Sequence, residues 1–473
     1  MTDARTAYDR RWQALALLAL TQFVVVLDAA IVNVALPSIG SDLNFSQENL
    51  PWVVNAYVLT FGGFLLLGGR AADLLGRRRM FIIGLVLFAL ASLACGLATS
   101  EGGLIAARAV QGLGGAILSP AALSIVAATF REGAERNKAM GVWGAVAGSG
   151  AAAGVLLGGV LTEWLGWEWV FWVNVPIALG AALVAPRLLA ESHAEGMARR
   201  FDVTGAVTVT AGLSVGVYAI VDAQNAGWGS VQTILLLVLT VALLAVFAIT
   251  ETRSRQPLVP FRIFKLRALR SANVTMLLFG GGMFSMFFFL TLYMQQVLGY
   301  DALETGLAYL PLSGGIIVSA GIASQLVTRL GVRPVFVTGL SLVTIGLLWF
   351  SRVSPDGSFL GDLLGPSLVF ALGGGMSFVP ATIAAVSGVS ESDSGLASGL
   401  INTTQQIGGA LGLAILATIA NSRTEDVAAT AGSQAAALTE GFQVAFVGAA
   451  VLVFFAAVAA AAMTPRIDAS AEA

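Results

Sequence analysis

The chain has 473 residues, of which 57% are hydrophobic and only 11% charged. Soluble domains carry roughly a quarter charged residues, so this composition points to an integral membrane protein. The net charge of −2 names no partner class, no basic run interleaved with aromatics suggests nucleic acid as a partner, and the single cysteine, Cys95, allows neither an internal disulfide nor a cysteine-based metal site.

Arg5, Arg10 and Arg11 precede the first apolar stretch. That stretch is too long for a signal h-region and lacks an Ala-x-Ala exit, so it reads as an uncleaved first helix. Fourteen spans follow in chain order, at about 13–36, 50–69, 80–98, 102–124, 138–161, 169–186, 203–221, 230–249, 271–296, 304–326, 334–350, 363–386, 396–420 and 441–463. Each is near the ~20 residues that cross a bilayer, and a segment of that length in lipid must be helical. With the N-terminus placed in the cytoplasm, all but three of the 25 Lys and Arg residues fall in cytoplasmic segments. The exceptions are Arg352 and Arg423 outside and Arg108 within a span. Positive charge kept inside is what orients such a chain, so both termini are expected in the cytoplasm.

Asp28, in the first span, is the only acid deep within a span, and Asn33 follows it before Pro37. Burial favours a protonated carboxyl and a nearby arginine an ionised one, so such a group can take up and release protons as its surroundings alternate. A purely structural salt bridge is the alternative. After the second span the chain reads Gly69-Arg70-Ala71-Ala72-Asp73-Leu74-Leu75-Gly76-Arg77-Arg78-Arg79. Glycines permit a tight turn, and Asp73 can accept from a helix N-terminus or pair with an arginine and so latch that face. A positive-inside cluster explains the arginines but not Asp73 or the glycine spacing.

Arg108 and Gln111 sit three apart on one face of the fourth span. A mid-span charge costs roughly 2.5–3.5 kcal/mol, so Arg108 either snorkels or faces a cavity with an acidic partner. The fifth span carries Gly141, Gly144, Gly148, Gly150, Gly154, Gly158 and Gly159, a face that permits close helix approach. His193, the only histidine, sits in the polar loop 187–202 and reads as a solvated residue. Aromatics crowd the ninth span from Phe279 to Tyr293, where lining a cavity and packing against lipid are both open. Gln295, Asn402, Gln405 and Gln406 are polar residues too costly to leave facing lipid, and with Asn33 and Gln111 they are the candidate substrate-cavity set.

The chain repeats itself. Gly141, Gly150 and Gly154 recur 258 residues later as Gly399, Gly408 and Gly412; Gly114-Gly115 with Pro120-Ala121 recurs as Gly374-Gly375 with Pro380-Ala381; Gly76 before Arg78 recurs as Gly331 before Arg333. This implies two parallel six-helix halves, about 12–190 and 271–465, with 203–249 as an inserted helix pair. The only lysines are Lys138 and Lys265, and neither follows a glycine. No phosphate-binding loop exists, so ATP is not expected as a partner, and no hydrolytic motif marks an enzyme.

Taken together, these motifs resemble the fourteen-helix drug:H⁺ antiporter branch of the major facilitator superfamily over nearly the whole chain, from about 12 to 463. Leu27-Asp28 to Leu36-Pro37 resembles its first-helix signature, Gly69 to Arg78 its loop motif, Arg108 to Gly115 its fourth-helix motif and the fifth-span glycines its antiporter motif. Two departures stand out: Val155 where that motif usually has proline after glycine, and Glu168 where relatives commonly carry arginine. The resemblance implies proton-coupled efflux of amphiphilic drugs or small natural products across a bacterial inner membrane. No cofactor is implied, the proton gradient supplying the energy, with Asp28 the protonation site and Arg108 its partner. Exchange of one endogenous metabolite, in either direction, is a second reading. A non-transporting scaffold or sensor is a third, against which the intramembrane charges argue.

Overall fold

The computed structural model describes residues 2–45, 49–50, 52–192, 203–254, 257–390, 393–430 and 432–465. His193 lies outside them. Among the described residues there are helices and no strands. The first bundle contains α1 (Thr2–Asp42), α2 (Trp52–Leu75), α3 (Arg77–Gly96), α4 (Glu101–Thr129), α5 (Ala134–Leu165), the short α6 (Trp169–Trp172) and α7 (Asn174–Leu188). A hairpin of α8 (Val203–Ala226) and α9 (Val231–Arg253) follows. The second bundle contains α10 (Arg267–Leu292), the short α11 (Ala302–Ala308), α12 (Leu310–Leu330), α13 (Val332–Phe350), α14 (Leu364–Val386), α15 (Ser394–Val427) and α16 (Gln434–Met463).

Twelve of these segments, searched over described residues, are long and apolar enough to cross a membrane. Helices α5 and α8 contribute shorter apolar stretches of described residues, Ala153–Leu165 and Thr204–Ile220. Helix ends are satisfied locally: Ser100 accepts from the Gly103 amide at the start of α4, and Asp301 and Glu304 form a reciprocal capping box at α11.

The two bundles use the same pairings. Helix α1 packs along α5 as α10 packs along α15; α3 on α4 matches α13 on α14; α2 on α4 matches α12 on α14; α3 on α7 matches α13 on α16. The repeated sequence motifs fall at matching places. Gly76 and Gly331 both open a helix with positive φ, 107° and 82°, where a side chain would be strained. Pro120 and Pro380 both lie inside their helices, α4 and α14.

The bundles meet along two seams, α5 against α12 and α2 against α15. The hairpin α8–α9 packs against the second seam, touching both α2 and α15. Trp52 stacks on Tyr218 with ring centroids 5.6 Å apart, and Trp228 Nε1 donates to Thr418 Oγ1 at 2.9 Å. Helix α9 turns Leu235, Val238 and Val241 outward, as a lipid-facing helix does. Among the described residues the other seam has no such cover. There a cleft of about 820 Å³ runs between α5 and α12, bounded by Lys138, Val142, Ser149, Ile317, Gln325 and Arg329.

Candidate functional site

Asp28, Arg108 and Gln111 come together inside the first bundle, all three at 0% exposure. Arg108 Nη1 pairs with Asp28 Oδ2 at 2.7 Å. The same nitrogen donates to Gln111 Oε1 at 2.5 Å, and Arg108 Nε donates to the Val53 carbonyl at 2.9 Å. Gln111 Nε2 in turn donates to Asp28 Oδ1 at 2.8 Å and to Ser92 Oγ at 2.7 Å. The guanidinium lies 4.4 Å from the centre of the Tyr57 ring, a cation–π contact that further compensates its burial. Helix α4 thus supplies two donors to the α1 carboxylate, and α2 and α3 brace those donors through Val53 and Ser92.

Arg108 and Gln111 are enclosed within a single bundle, where Arg108 Nε and Nη1 and the Gln111 amide find partners in Asp28, Ser92 and the α2 backbone, while Arg108 Nη2 has none among the described residues. The other proposed cavity residues do not join them. Asn33 is exposed and donates to the carbonyls of Ala29 and Ala30 on its own helix. Gln295 is exposed in a π-turn that ends α10. Asn402 is half-buried and bonds the Ser398 carbonyl one turn back, and Gln405 and Gln406 are half-buried on α15. The ninth-span aromatics are mostly interior: Phe289 packs on Phe442 and Phe446 of α16, and Phe279 on Phe378 of α14.

The loop motif forms the second constellation. Asp73 is fully buried, and its two oxygens accept from the backbone amides of Gly395 and Leu396, each at 3.0 Å. Those amides begin α15, where free N–H groups and the helix dipole favour an anion. Arg77 donates to the same carboxylate at 3.3 Å. Gly69 is required beside it, since a Cβ there would collide with the Gly395 carbonyl. Arg70 extends the latch: it pairs with Asp393 at 3.5 Å and donates to the Pro257 carbonyl at 3.2 Å, while Arg262 also pairs with Asp393 at 3.6 Å. The segment joining α9 to α10 is thereby strapped onto the contact between the bundles. Beyond Gly76, Arg78 pairs with Glu191, whose carboxylate also accepts from the Arg78 and Arg79 amides. At the other seam Asn137 donates to Thr328 at 3.0 Å.

The α5 glycines divide by position. Gly141 and Gly144 abut the second bundle at Ser324 and Val379, whereas Gly150, Gly154 and Gly158 abut α1 at Val26, Leu27, Ala30, Ile31 and Val34. Gly159 is buried, and the surroundings of Gly148 lie outside the described residues. Their close approach seats α1, and with it Asp28.

Several participants escaped the sequence reading. Asn174 of α7 donates to Asp28 Oδ1 at 2.7 Å; its only signal was an amide inside an apolar run. Tyr57 and Ser92 fall in none of the motifs read from the sequence. Asp393 lies 323 residues from Arg70, and no local pattern links them.

The sequence profile described as Major Facilitator Superfamily matches residues 18–413. Puromycin resistance protein pur8 of Streptomyces alboniger is 42% identical over 91% of this chain and 86% of its own length. Cephamycin export protein CmcT of Amycolatopsis lactamdurans is 41% identical over 97% and 93%. Among solved structures, the proton:xylose symporter XylE superposes with a TM-score of 0.70 at 14% identity, covering 98% of this chain and 97% of that one. At that identity the likeness speaks for the fold, and it agrees with the paired helix packing of the two bundles. The chain, membrane-embedded and built as two matching helical bundles, belongs to the Major Facilitator Superfamily.

Proposed function

We propose that this protein exports amphiphilic drugs or small natural products in exchange for protons, as a fourteen-span antiporter of the bacterial inner membrane. The observation that carries the reading is the Asp28–Arg108 pair, fully buried, with donors to the carboxylate from α4 and α7. A buried ion pair is weak evidence for stability, since apolar residues of the same volume often do as well. An ionisable pair at membrane depth is by contrast a default sign of function. The names of the relatives, puromycin resistance and cephamycin export, support efflux.

In this reading 12–190 and 271–465 are the two moving halves, and 203–249 is an inserted pair outside them. Asp28 takes up a proton from the outside and releases it to the cytoplasm. Alternating access breaks and remakes the Asp73 contact with α15 on the cytoplasmic face, where the arginines and the strap also sit. Amphiphiles reach the path between the halves from the cytoplasmic leaflet, by way of the cleft beside α5 and α12. The proton gradient is the only energy source, with no cofactor and no ATP, and the protein makes and breaks no covalent bond. Both termini lie in the cytoplasm, as the arginine distribution directs.

The test uses everted vesicles carrying a pH-sensitive dye. Adding substrate should collapse part of an imposed proton gradient with wild-type protein and leave it intact with Asp28→Asn. A normal response from Asp28→Asn removes Asp28 from coupling; no response from wild type across a broad panel of amphiphiles ends the antiport reading. Export of one dedicated product is the second reading, favoured by relatives named for single compounds, such as cephamycin and tetracenomycin C. It predicts a response to one compound within that panel.

A further inference from the structure

The carboxylate of Asp28 is met by donors only, and one of them comes from a helix that no motif singled out. Asn174 is the first residue of α7, next to the short α6, and is fully buried. Its Nδ2 donates to Asp28 Oδ1 at 2.7 Å, beside the Gln111 donor at 2.8 Å, while Arg108 takes Oδ2. In this orientation the NH₂ group faces Asp28 and the amide oxygen has no partner among the described residues; an ionised carboxylate at that distance accepts from the NH₂ group and from nothing the amide oxygen could offer. The titratable groups around the site are Arg108 on α4, Tyr57 on α2 and Cys95 on α3. Only Arg108 among them brings a positive charge. Cys95 is turned to Gln111, with its sulfur 3.6 Å from Oε1.

We propose that Asn174 is a positioning residue of the proton site, whose amide donor favours the ionised form of Asp28 and so sets how readily that carboxyl gives up its proton. The inference rests on the antiport reading. A charge-assisted hydrogen bond is stronger than a neutral one, so its loss penalises the ionised form more than the protonated form. Gln111 and Arg108 remain after that loss, so the carboxylate stays bound but is less favoured. A purely structural amide, filling space between α7 and α1, would leave the proton equilibrium where it is.

The experiment compares Asn174→Leu, Asn174→Gln and Asn174→Asp with wild type and Asp28→Asn. Two quantities are read. The first is the infrared carboxyl band that disappears in Asp28→Asn, titrated in purified protein, which reports Asp28 without transport. The second is the pH profile of substrate-driven proton movement in everted vesicles. Asn174→Leu should move the infrared midpoint to higher pH by about one unit, and the transport profile with it. Asn174→Asp should move it further in the same direction, because two carboxyls at hydrogen-bonding distance share one proton. Asn174→Gln keeps the amide and should restore most of the wild-type midpoint. Gel-filtration monodispersity in detergent checks folding, and the Gln variant keeps the test open if Leu fails to fold. An unmoved or acid-shifted midpoint in Asn174→Leu, or a Gln variant that behaves like Leu, overturns the proposal. A midpoint that shifts as expected while Asp28→Asn still couples would instead remove Asp28 from coupling, and one that shifts while wild type moves no protons would sink the antiport reading; either leaves the role of Asn174 at Asp28 standing.

Discussion

At the scale of single residues, Asp28 and Asp73, both at 0% exposure, play opposite parts. Asp28 is held inside one bundle, whereas Asp73 reaches across to the other. Arg108→Ala leaves Asp28 buried without its cation, a change that costs about 3–5 kcal/mol when one partner of a buried pair is removed. Arg108→Lys keeps the charge but loses the planar fork that serves Asp28, Gln111 and the Val53 carbonyl together. Substrate-driven proton movement should therefore fall in the order wild type, Lys, Ala, and equal rates for Lys and Ala would separate the charge from the function. Asp73→Asn should slow turnover several-fold while equilibrium substrate binding changes little, because Asp73 is held by Arg77 and the start of α15. A binding titration and a flux assay on the same preparation decide it; a large affinity loss at unchanged flux contradicts the assignment. Asp28, Arg108 and Asp73 were legible in the sequence because an ionisable group in an apolar or glycine-framed context announces its own cost. Asn33 and Gln295 looked equally conspicuous, yet they answer to a local backbone or to the membrane edge. Sequence records that a polar group exists within a span; only helix rotation decides which way it points.

Among elements, the glycine faces explain why α5 and α15 occupy equivalent places. Each packs one part of its length on its own bundle, on α1 or α10, and another part on the opposite bundle. Gly69 and Gly395 bring the backbones of α2 and α15 together where Asp73 reaches its two amides. Gly69→Val should hold α2 and α15 apart and leave the Asp73 bonds unmade. Reactivity of a cysteine placed at Ser398, buried in this arrangement, should rise in that variant; unchanged labelling would mean that the contact tolerates the added bulk. The hairpin α8–α9 is a different kind of element. In the sequence it stands outside the repeat, which is why it reads there as an insertion, but its attachment at both ends carries no sequence signal. Trp228 binds α15 through Thr418 at one end, and the segment after α9 is tied down by Arg70 and by the Arg262–Asp393 pair at the other. A chain rejoining residue 200 to residue 251 removes an even number of spans and keeps the strap. It should insert with the second half in its native orientation, reported by labelling a cysteine placed at Arg333, while transport drops.

For the molecule as a whole, the repeat was the most legible property, since glycine contacts constrain both bundles alike and the same helix pairings recur in each. What could not be read was how the halves sit against each other, which depends on contacts such as Arg70 with Asp393, far apart in the chain and unmarked by composition. That placement makes the two seams unequal. One is overlaid by a clasped hairpin; the other carries a cleft of about 820 Å³ between α5 and α12, which in the proposed reading faces the bilayer. A bilayer therefore wets only one flank of the moving joint. Tail packing and lateral pressure act on that flank alone, so the halves should swing like a door hung on the hairpin side rather than rock evenly about the centre. Spin-label distances measured across α5 and α12 during turnover should then vary more than those across α2 and α15, and should respond to the acyl composition of the membrane while the covered pair does not.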